Sequence, residues 1–253
     1  MSIALVTGAS SGIGLVFARA LASRGHDLVV VARSKDKLDE LASSLSVDVE
    51  VIGADLADDA GVATVEERLR SEERPVDLLV NNAGFGTTGR FAELPIAEED
   101  QEIRLNVLAL TRLTGAALPG MVARRRGGIL NVASIAAFQP TPGTATYGAT
   151  KAYVLSFTQA LREELRGTGV KALVLCPGFT KTEFQERANY EVKGLAARFW
   201  QTPEQVVEAA LSALDRDAGV CVPGWQNKVA AGATHLTPRR LLPRVAGLIS
   251  GQV

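Results

Sequence analysis

Short unbroken apolar runs alternate along this chain with longer stretches in which apolar residues return every third or fourth position. Ile3 to Val6 is the first run, wholly apolar and rich in branched side chains, as a strand buried on both faces should be. Asp27 to Ala32, Val47 to Ile52, the run opening at Asp77, Gly128 to Ser134, Val170 to Cys176 and Gly219 to Val222 predict six more strands. Between them the spacing predicts helices over about 12–24, 58–70, 98–124 and 202–214, one between the second and third strands, and one carrying Tyr147 that runs to about Arg166. Gly25, the pair Gly127-Gly128 and Gly167 stop three of these. Arg124, Arg125 and Arg126 are expected in a last helical turn, where cations suit the dipole. Thr202-Pro203-Glu204-Gln205 has the form of a capping box with proline at the first helical position.

Strands alternating with helices from end to end imply a parallel sheet covered by helices on both sides. The expected fold class is therefore α/β, a single doubly wound, Rossmann-type domain over 1–253 with about seven parallel strands. An aromatic-rich segment at about 179–201 reads as a loop with a short helix. A stretch at about 225–253 reads as helical pieces broken by Pro238, Pro243 and Gly247.

Composition narrows the function more than the fold. A net charge of −1 argues against nucleic-acid partners, which favour a strong positive excess. The charge is uneven: 23 basic and 28 acidic residues precede Trp225, whereas Lys228, Arg239, Arg240 and Arg244 follow it with no acidic residue. Cys176 and Cys221 lie in or beside strand-like runs and read as buried free thiols. His26 and His235 are isolated, and no metal-ligand spacing stands out. The first strand opens within a few residues of Met1, leaving no room for a signal peptide, and no run of 18 apolar residues suggests a membrane span. A cytoplasmic location is the expectation.

Two stretches carry candidate chemistry. Thr7 to Gly14 places Gly8, Gly12 and Gly14 between the first strand and first helix, where backbone can approach a pyrophosphate and a helix N-terminus offers N–H groups. The spacing differs from the common Gly-x-Gly-x-x-Gly fingerprint and lacks the Gly-Lys-Ser/Thr ending of a nucleotide-hydrolysing loop. Further on, Tyr147 and Lys151 share a helix face, so a cation can lower the pKa of a neighbouring phenol. Ser134, at the end of the preceding strand, offers a hydroxyl to a developing alkoxide. At the end of the second strand Ala32 fills the position where an NAD site places a carboxylate, and Arg33 follows it. Arg33, with Lys37 one turn on, suits a 2′-phosphate and predicts a preference for NADP(H), with NAD(H) possible.

These stretches together resemble a classical short-chain dehydrogenase/reductase. The resemblance rests on TGASSGIG at 7–14, NNAG at 81–84, Asn106, Ser134, YGATK at 147–151 and Pro177-Gly178, in family order over residues 3 to about 182. It implies that Tyr147 is the general acid/base, that Lys151 tunes it and holds the nicotinamide ribose, that Ser134 orients the carbonyl, and that Asn106 supports a proton relay. It further implies cofactor contacts from Gly8, Ser10, Ser11, Gly12, Ile13, Gly14, Asp55, Leu56, Asn82, Ala83, Gly84, Tyr147, Lys151, Pro177, Gly178, Thr180 and Thr182. Ser11 stands where many NADP-binding relatives carry a basic residue, so the NADP expectation rests on Arg33.

The implied activity is hydride transfer between a nicotinamide and a ketone, aldehyde or secondary alcohol of largely apolar character. The pocket is expected from Phe85, Ala136 to Gln139, Phe179 and residues 180–200. A catalytically weak cofactor-binding sensor or scaffold is the alternative; a methyltransferase is disfavoured by the glycine spacing and by the Ser, Tyr and Lys set. The basic tail resembles that of DltE-like bacterial reductases. It suits a cleft cover or subunit contact better than a membrane surface, and a homodimer or homotetramer is expected.

Overall fold

A computed structural model describes residues 2–183 and 200–236. Seven strands are found among them: β1 Ile3–Thr7, β2 Asp27–Ala32, β3 Val49–Gly53, β4 Val76–Asn81, β5 Gly127–Val132, β6 Val170–Leu175 and β7 Val220–Cys221. All pair in parallel in one sheet of order β3-β2-β1-β4-β5-β6-β7. The helices are α1 Gly12–Ser23, α2 Lys35–Ser43, α3 Asp59–Arg70, α4 Ile96–Ile103, α5 Leu110–Ala123, α6 Ala145–Glu164, α7 Pro203–Asp215 and α8 Trp225–Leu236.

The apolar strands work in both directions because successive side chains point to opposite faces. Ala4, Val6, Leu28 and Val30 face one core, filled by Phe17 and Leu21 of α1 and by Val206, Ala210 and Leu211 of α7. Ile3, Leu5, Val29, Val31 and Leu79 face the other, filled by Val62 and Val65 of α3, Leu113 and Met121 of α5, and Leu161 of α6. The chain reverses its direction of winding between β1 and β4, which leaves a crevice at their carboxyl ends.

Three local expectations change. The long helix predicted over 98–124 starts at Ile96 and is divided by a π-helical segment, Arg104–Ala109, between α4 and α5. The three arginines do not occupy a last turn, because α5 ends at Ala123 and Arg125 turns with φ 52°. They bind outward instead: Arg124 donates to Val76 O, Arg125 to Gly167 O and Arg126 to Asp77. The third strand begins at Val49 rather than Val47, since pairing with β2 starts at Leu28 opposite Val49. The capping box is present, with Thr202 accepting from Gln205 N and the Gln205 side chain accepting from Thr202 N. Both cysteines are free and buried. Most of the segment expected at 179–201 and the tail beyond Leu236 lie outside the described residues.

Candidate active site

Every candidate side chain stands at the carboxyl end of a strand or on the helix that follows it. The turn after β1 is fixed first by hydrogen bonds. Thr7 Oγ1 accepts from Asn82 N and Ala83 N, each at 3.0 Å, and donates to Val80 O. The Asn82 side-chain amide donates to Thr7 O at 2.9 Å. These bonds tie the glycine turn to NNAG. They also leave no space above Gly14, where a Cβ would lie 2.2 Å from Gly8 O and 2.4 Å from the Asn82 amide nitrogen. Gly8 takes φ +67°, a conformation that glycine adopts without cost. The first turn of α1 contains no acidic residue, and Ser11 at its N-cap makes no side-chain cap bond. Such a helix end presents N–H groups and positive dipole to an anion. Ser10 and Ile13 belong to the same turn, and the chain after β6 reaches it, since a Cβ on Gly12 would touch the Thr182 side chain at 3.3 Å. A dinucleotide with its pyrophosphate at this turn fits the residues present.

Beyond the turn, Arg33 leaves the end of β2 with its side chain largely exposed and 3.8 Å from Asp55 Oδ2. Ala32 is buried beneath it. Asp55 Oδ1 accepts from Ala57 N, and Leu56 inserts into the core, so this pair is anchored in the backbone that follows β3. On the far side, Pro177 O accepts from Ile135 N. Thr180 Oγ1 donates to Gly178 O, and Phe179 packs on Trp200 with ring centroids 6.0 Å apart.

The candidate acid/base group lies between these edges. Ser134, two residues beyond β5, is extended and caps the short turn Ile135–Phe138, its Oγ accepting from Ala136 N at 3.1 Å. The Tyr147 hydroxyl is hydrogen-bonded to Ser134. Lys151, one turn further along α6, is buried; its Nζ donates to Val132 O at 3.0 Å and sits 5.6 Å from the Tyr147 ring centroid. Asn106 reaches the same place from the π-helical segment. Its Oδ1 accepts from Phe85 N, and its amide donates to Phe85 O and to Thr150 Oγ1. Gly84 completes the contact, for a Cβ there would lie 2.8 Å from Asn106 Oδ1 and 3.4 Å from Lys151 Nζ. The structure therefore brings Asn106, Ser134, Tyr147 and Lys151 together beside the glycine turn.

Electrostatically the pair departs from the simple expectation. Enclosure pushes the Tyr147 phenol up to about 12, with the Ser134 hydrogen bond opposing. Enclosure also pushes the Lys151 ammonium down to about 8, with the charge of Glu102 opposing. The protein's own groups thus keep Tyr147 protonated rather than lowering its pKa, because desolvation outweighs the hydrogen bond from Ser134.

Several residues of the site escaped the sequence. Gly86 lies against the Tyr147 ring, where a Cβ would approach Cδ2 to 2.7 Å. Glu99 and Glu102 of α4 are both buried, bonded to Thr87 and, for Glu99, also to Thr146 next to Tyr147. Their only sequence signal is the spacing of Glu102 and Asn106 by one helical turn, which an exposed helix face would share.

A parallel sheet with a glycine turn at its switch point and a Ser, Tyr and Lys set beside it defines a nicotinamide-dependent oxidoreductase of the Rossmann type. Residues 2–193 match the family described as short chain dehydrogenase, and the chain belongs to that family. Among curated relatives, sulfoacetaldehyde reductase 2 of Chromohalobacter salexigens is 39% identical over 186 residues, covering 72% of this chain and 74% of the relative. A short-chain dehydrogenase from Sphingobium yanoikuyae, solved in complex with NADPH, superimposes with a TM-score of 0.84 at 38% identity, covering 93% of this chain and 94% of that one. A bulky-bulky ketone specific alcohol dehydrogenase from Comamonas testosteroni gives a TM-score of 0.79 at 34% identity, covering 96% and 99%. The chain is accordingly an NAD(P)-dependent oxidoreductase acting on CH–OH groups.

Proposed function

We propose that this protein is an NADP(H)-dependent carbonyl reductase whose substrate is a largely apolar ketone or aldehyde, with Tyr147 as proton donor. The observation that carries this reading is the Ser134–Tyr147 hydrogen bond beside a buried Lys151. The bound nicotinamide supplies the hydride. Hydride arrival at a carbonyl carbon leaves an alkoxide, which needs a donor already in place. Ser134 and Tyr147 are hydrogen-bonded neighbours whose two hydroxyls would serve one carbonyl oxygen, and Tyr147, held protonated by its surroundings, would give up its proton there. Lys151 carries three N–H donors, of which one is directed at Val132 O, so it can hold a ribose hydroxyl as well. Asn106 fixes the Phe85 backbone and Thr150 around that ammonium.

Gly8, Ser10, Ser11, Gly12, Ile13 and Gly14 would hold the pyrophosphate. Asp55, Leu56, Asn82, Ala83 and Gly84 would line the adenosine side, and Pro177, Gly178, Thr180 and Thr182 the nicotinamide side. The NADP preference is supported by exposed Arg33 over a buried alanine and by the NADPH complex of the Sphingobium yanoikuyae relative. Apolar substrates are supported by the bulky ketones on which the Comamonas testosteroni relative acts. A homodimer or homotetramer is supported by Ile103, Leu108 and Tyr153, apolar yet exposed along α4, the π-helical segment and α6.

Turnover of NADPH across a panel of aryl and alkyl ketones and aldehydes tests the reading. Tyr147→Phe should lose activity by about a hundredfold or more while still binding NADPH. Arg33→Ala should lower kcat/KM for NADPH by about tenfold and leave NADH nearly unaffected. Undiminished turnover in Tyr147→Phe would remove Tyr147 as the proton donor, whereas NADPH binding without turnover of any member of the panel by the native protein would instead favour a cofactor-binding sensor.

A further inference from the structure

Below the catalytic group lies a second titratable cluster that the reaction as described does not use. Glu99 and Glu102 face inward from α4, and both are essentially removed from solvent. Between them stands a single hydroxyl. Thr87 Oγ1 is 2.5 Å from Glu99 Oε1 and 3.0 Å from Glu102 Oε2, while Thr87 N donates to Glu102 Oε2 at 2.9 Å. The other oxygen of Glu99 accepts from Thr146 Oγ1 in the first turn of α6. Glu102 Oε1 is buried without a hydrogen-bond partner.

Proton counting decides the charge on Glu102. A threonine hydroxyl has one hydrogen and can donate once. The 2.5 Å contact to Glu99 is in the range of a charge-assisted O–H···O bond, and the α6 N-terminus, which has no acidic residue of its own, favours a carboxylate there. If Thr87 donates to Glu99, its contact with Glu102 is a hydrogen bond only when Glu102 brings the proton. A second bare carboxylate in this dry space would also meet Glu99 with little screening. Burial and the neighbouring Glu99 push the Glu102 carboxyl up to about 7, in agreement with this count.

Charged groups reach Glu102 from two helices. Glu99 faces it from α4; Lys151 and Tyr147 of α6 both feel its charge. The loop carrying Thr87 adds a hydroxyl and a backbone N–H but no charge. Asn106 follows Glu102 by one helical turn and touches Thr150 of α6, so the two helices are held in register at this point.

We propose that Glu102 is a buried proton-holding residue that positions the charge of Lys151 and thereby sets the pH range in which the site works. The inference rests on the assignment of Tyr147 and Lys151 given above. At acidic pH Glu102 is neutral and Lys151 carries its positive charge unaided. As pH rises through neutrality Glu102 releases its proton to solvent, and the carboxylate formed holds Lys151 as an ammonium to higher pH than burial alone would allow.

Glu102→Gln keeps the shape and the Thr87 N–H acceptor but fixes the neutral form. Without the carboxylate the Lys151 ammonium is lost at lower pH, so the alkaline limb of kcat/KM moves down by about half a pH unit. Read as a ratio to the native enzyme, kcat/KM of the variant should fall about threefold between pH 6 and pH 8.5. Two further measurements on the full chain need no turnover. Infrared titration should show a protonated-carboxyl C=O band that disappears near neutral pH and is missing from Glu102→Gln. A raised folded-state pKa gives stability that is complete below the unfolded value and is lost as pH rises through the folded one. The urea midpoint of Glu102→Gln should therefore rise relative to native protein between about pH 4.5 and pH 7 and level off above that. Superimposable pH–rate profiles, or an infrared spectrum with no such band, would overturn the proposal. An active Tyr147→Phe would overturn the assignment beneath it while leaving the infrared result intact.

Discussion

At Gly86 a single hydrogen in place of a methyl group decides where the Tyr147 ring rests. A Cβ there would come within 2.7 Å of Cδ2 and 3.1 Å of Cγ, far inside van der Waals contact, so alanine has to displace the ring. Because Tyr147 is bonded to Ser134 and lies beside Lys151, a shift of the ring misaligns the proposed proton donor without touching the glycine turn. Gly86→Ala is expected to lower kcat by about tenfold or more, since small misplacements of reacting groups are costly. The Kd for NADPH, read by fluorescence titration, should stay within about twofold if the effect is confined to the ring. An equal loss in both quantities would place Gly86 in cofactor binding instead. The contrast with its neighbours shows what sequence exposes. Tyr147 and Lys151 stand out because helical geometry makes i and i+4 neighbours wherever they occur. Nothing in the run around Gly86 indicates which ring lies opposite, and Glu102 looks like one more carboxylate on a charged helix until the Thr87 loop folds over it.

At the scale of elements, a rule of repetition found the strands and helices, and its failures occur where repetition stops. The rod from Ile96 to Ala123 corresponds to the single helix expected over about 98–124, and its apolar residues recur closely enough to support that. A π-helical segment inserts itself at Arg104–Ala109 and carries Asn106, a placement that a 3.6-residue period cannot anticipate. The rod is also long and apolar enough to cross a membrane by length and composition alone, yet it buries Glu102, Asn106 and Thr114 against the sheet and α6. Strand β5 contains a comparable irregularity in Asn131, a polar residue wholly buried in an apolar run. Its Oδ1 accepts from Asn81 of β4 at 2.9 Å and its amide donates to Thr158 of α6 at 2.9 Å, while Asn81 also donates to Thr114 of α5. This ladder joins two strands to α5, which continues from the segment carrying Asn106, and to α6, which carries Tyr147. Asn131→Ala removes partners from Asn81 and Thr158 inside the core, and each buried group left short of a hydrogen bond costs about 1–3 kcal/mol. Urea unfolding should accordingly show a loss of about 2–3 kcal/mol with an unchanged m-value. A smaller loss would mean that the ladder fixes register more than it stabilises.

For the whole molecule, alternation of strands and helices was enough to read a doubly wound parallel sheet, but it did not reveal how α8, the last helix among the described residues, closes on the first site. The connection is Asn227 of α8. Its amide donates to Gln201 at 2.9 Å and to Pro223 O at 2.7 Å, and it fills the space over Gly178, where a Cβ would meet it at 2.4 Å. Gln201 in turn pairs through its backbone with Phe179 and Lys181. One buried side chain near the C-terminal end thus supports the loop after β6, whose Thr182 reaches back to Gly12 of the first turn. Sequence conceals this because Asn227 belongs to no repeating pattern and its partners are a loop glutamine and a backbone carbonyl. Asn227→Ala should free the loop before it unfolds the sheet, so KM for NADPH is expected to rise about three- to tenfold while kcat at saturation changes less. Losing one buried and one partly buried hydrogen bond, with part of the loss recovered by local relaxation, should lower Tm by about 2–4 °C in a chain of this size. The two readouts separate the roles of α8. A fall in Tm with KM unmoved would make α8 a contributor to stability alone, with the loop after β6 holding its own shape. A rise in KM at nearly constant Tm would make the helix a support for cofactor binding, and changes near α8 would then tune affinity from outside the sheet.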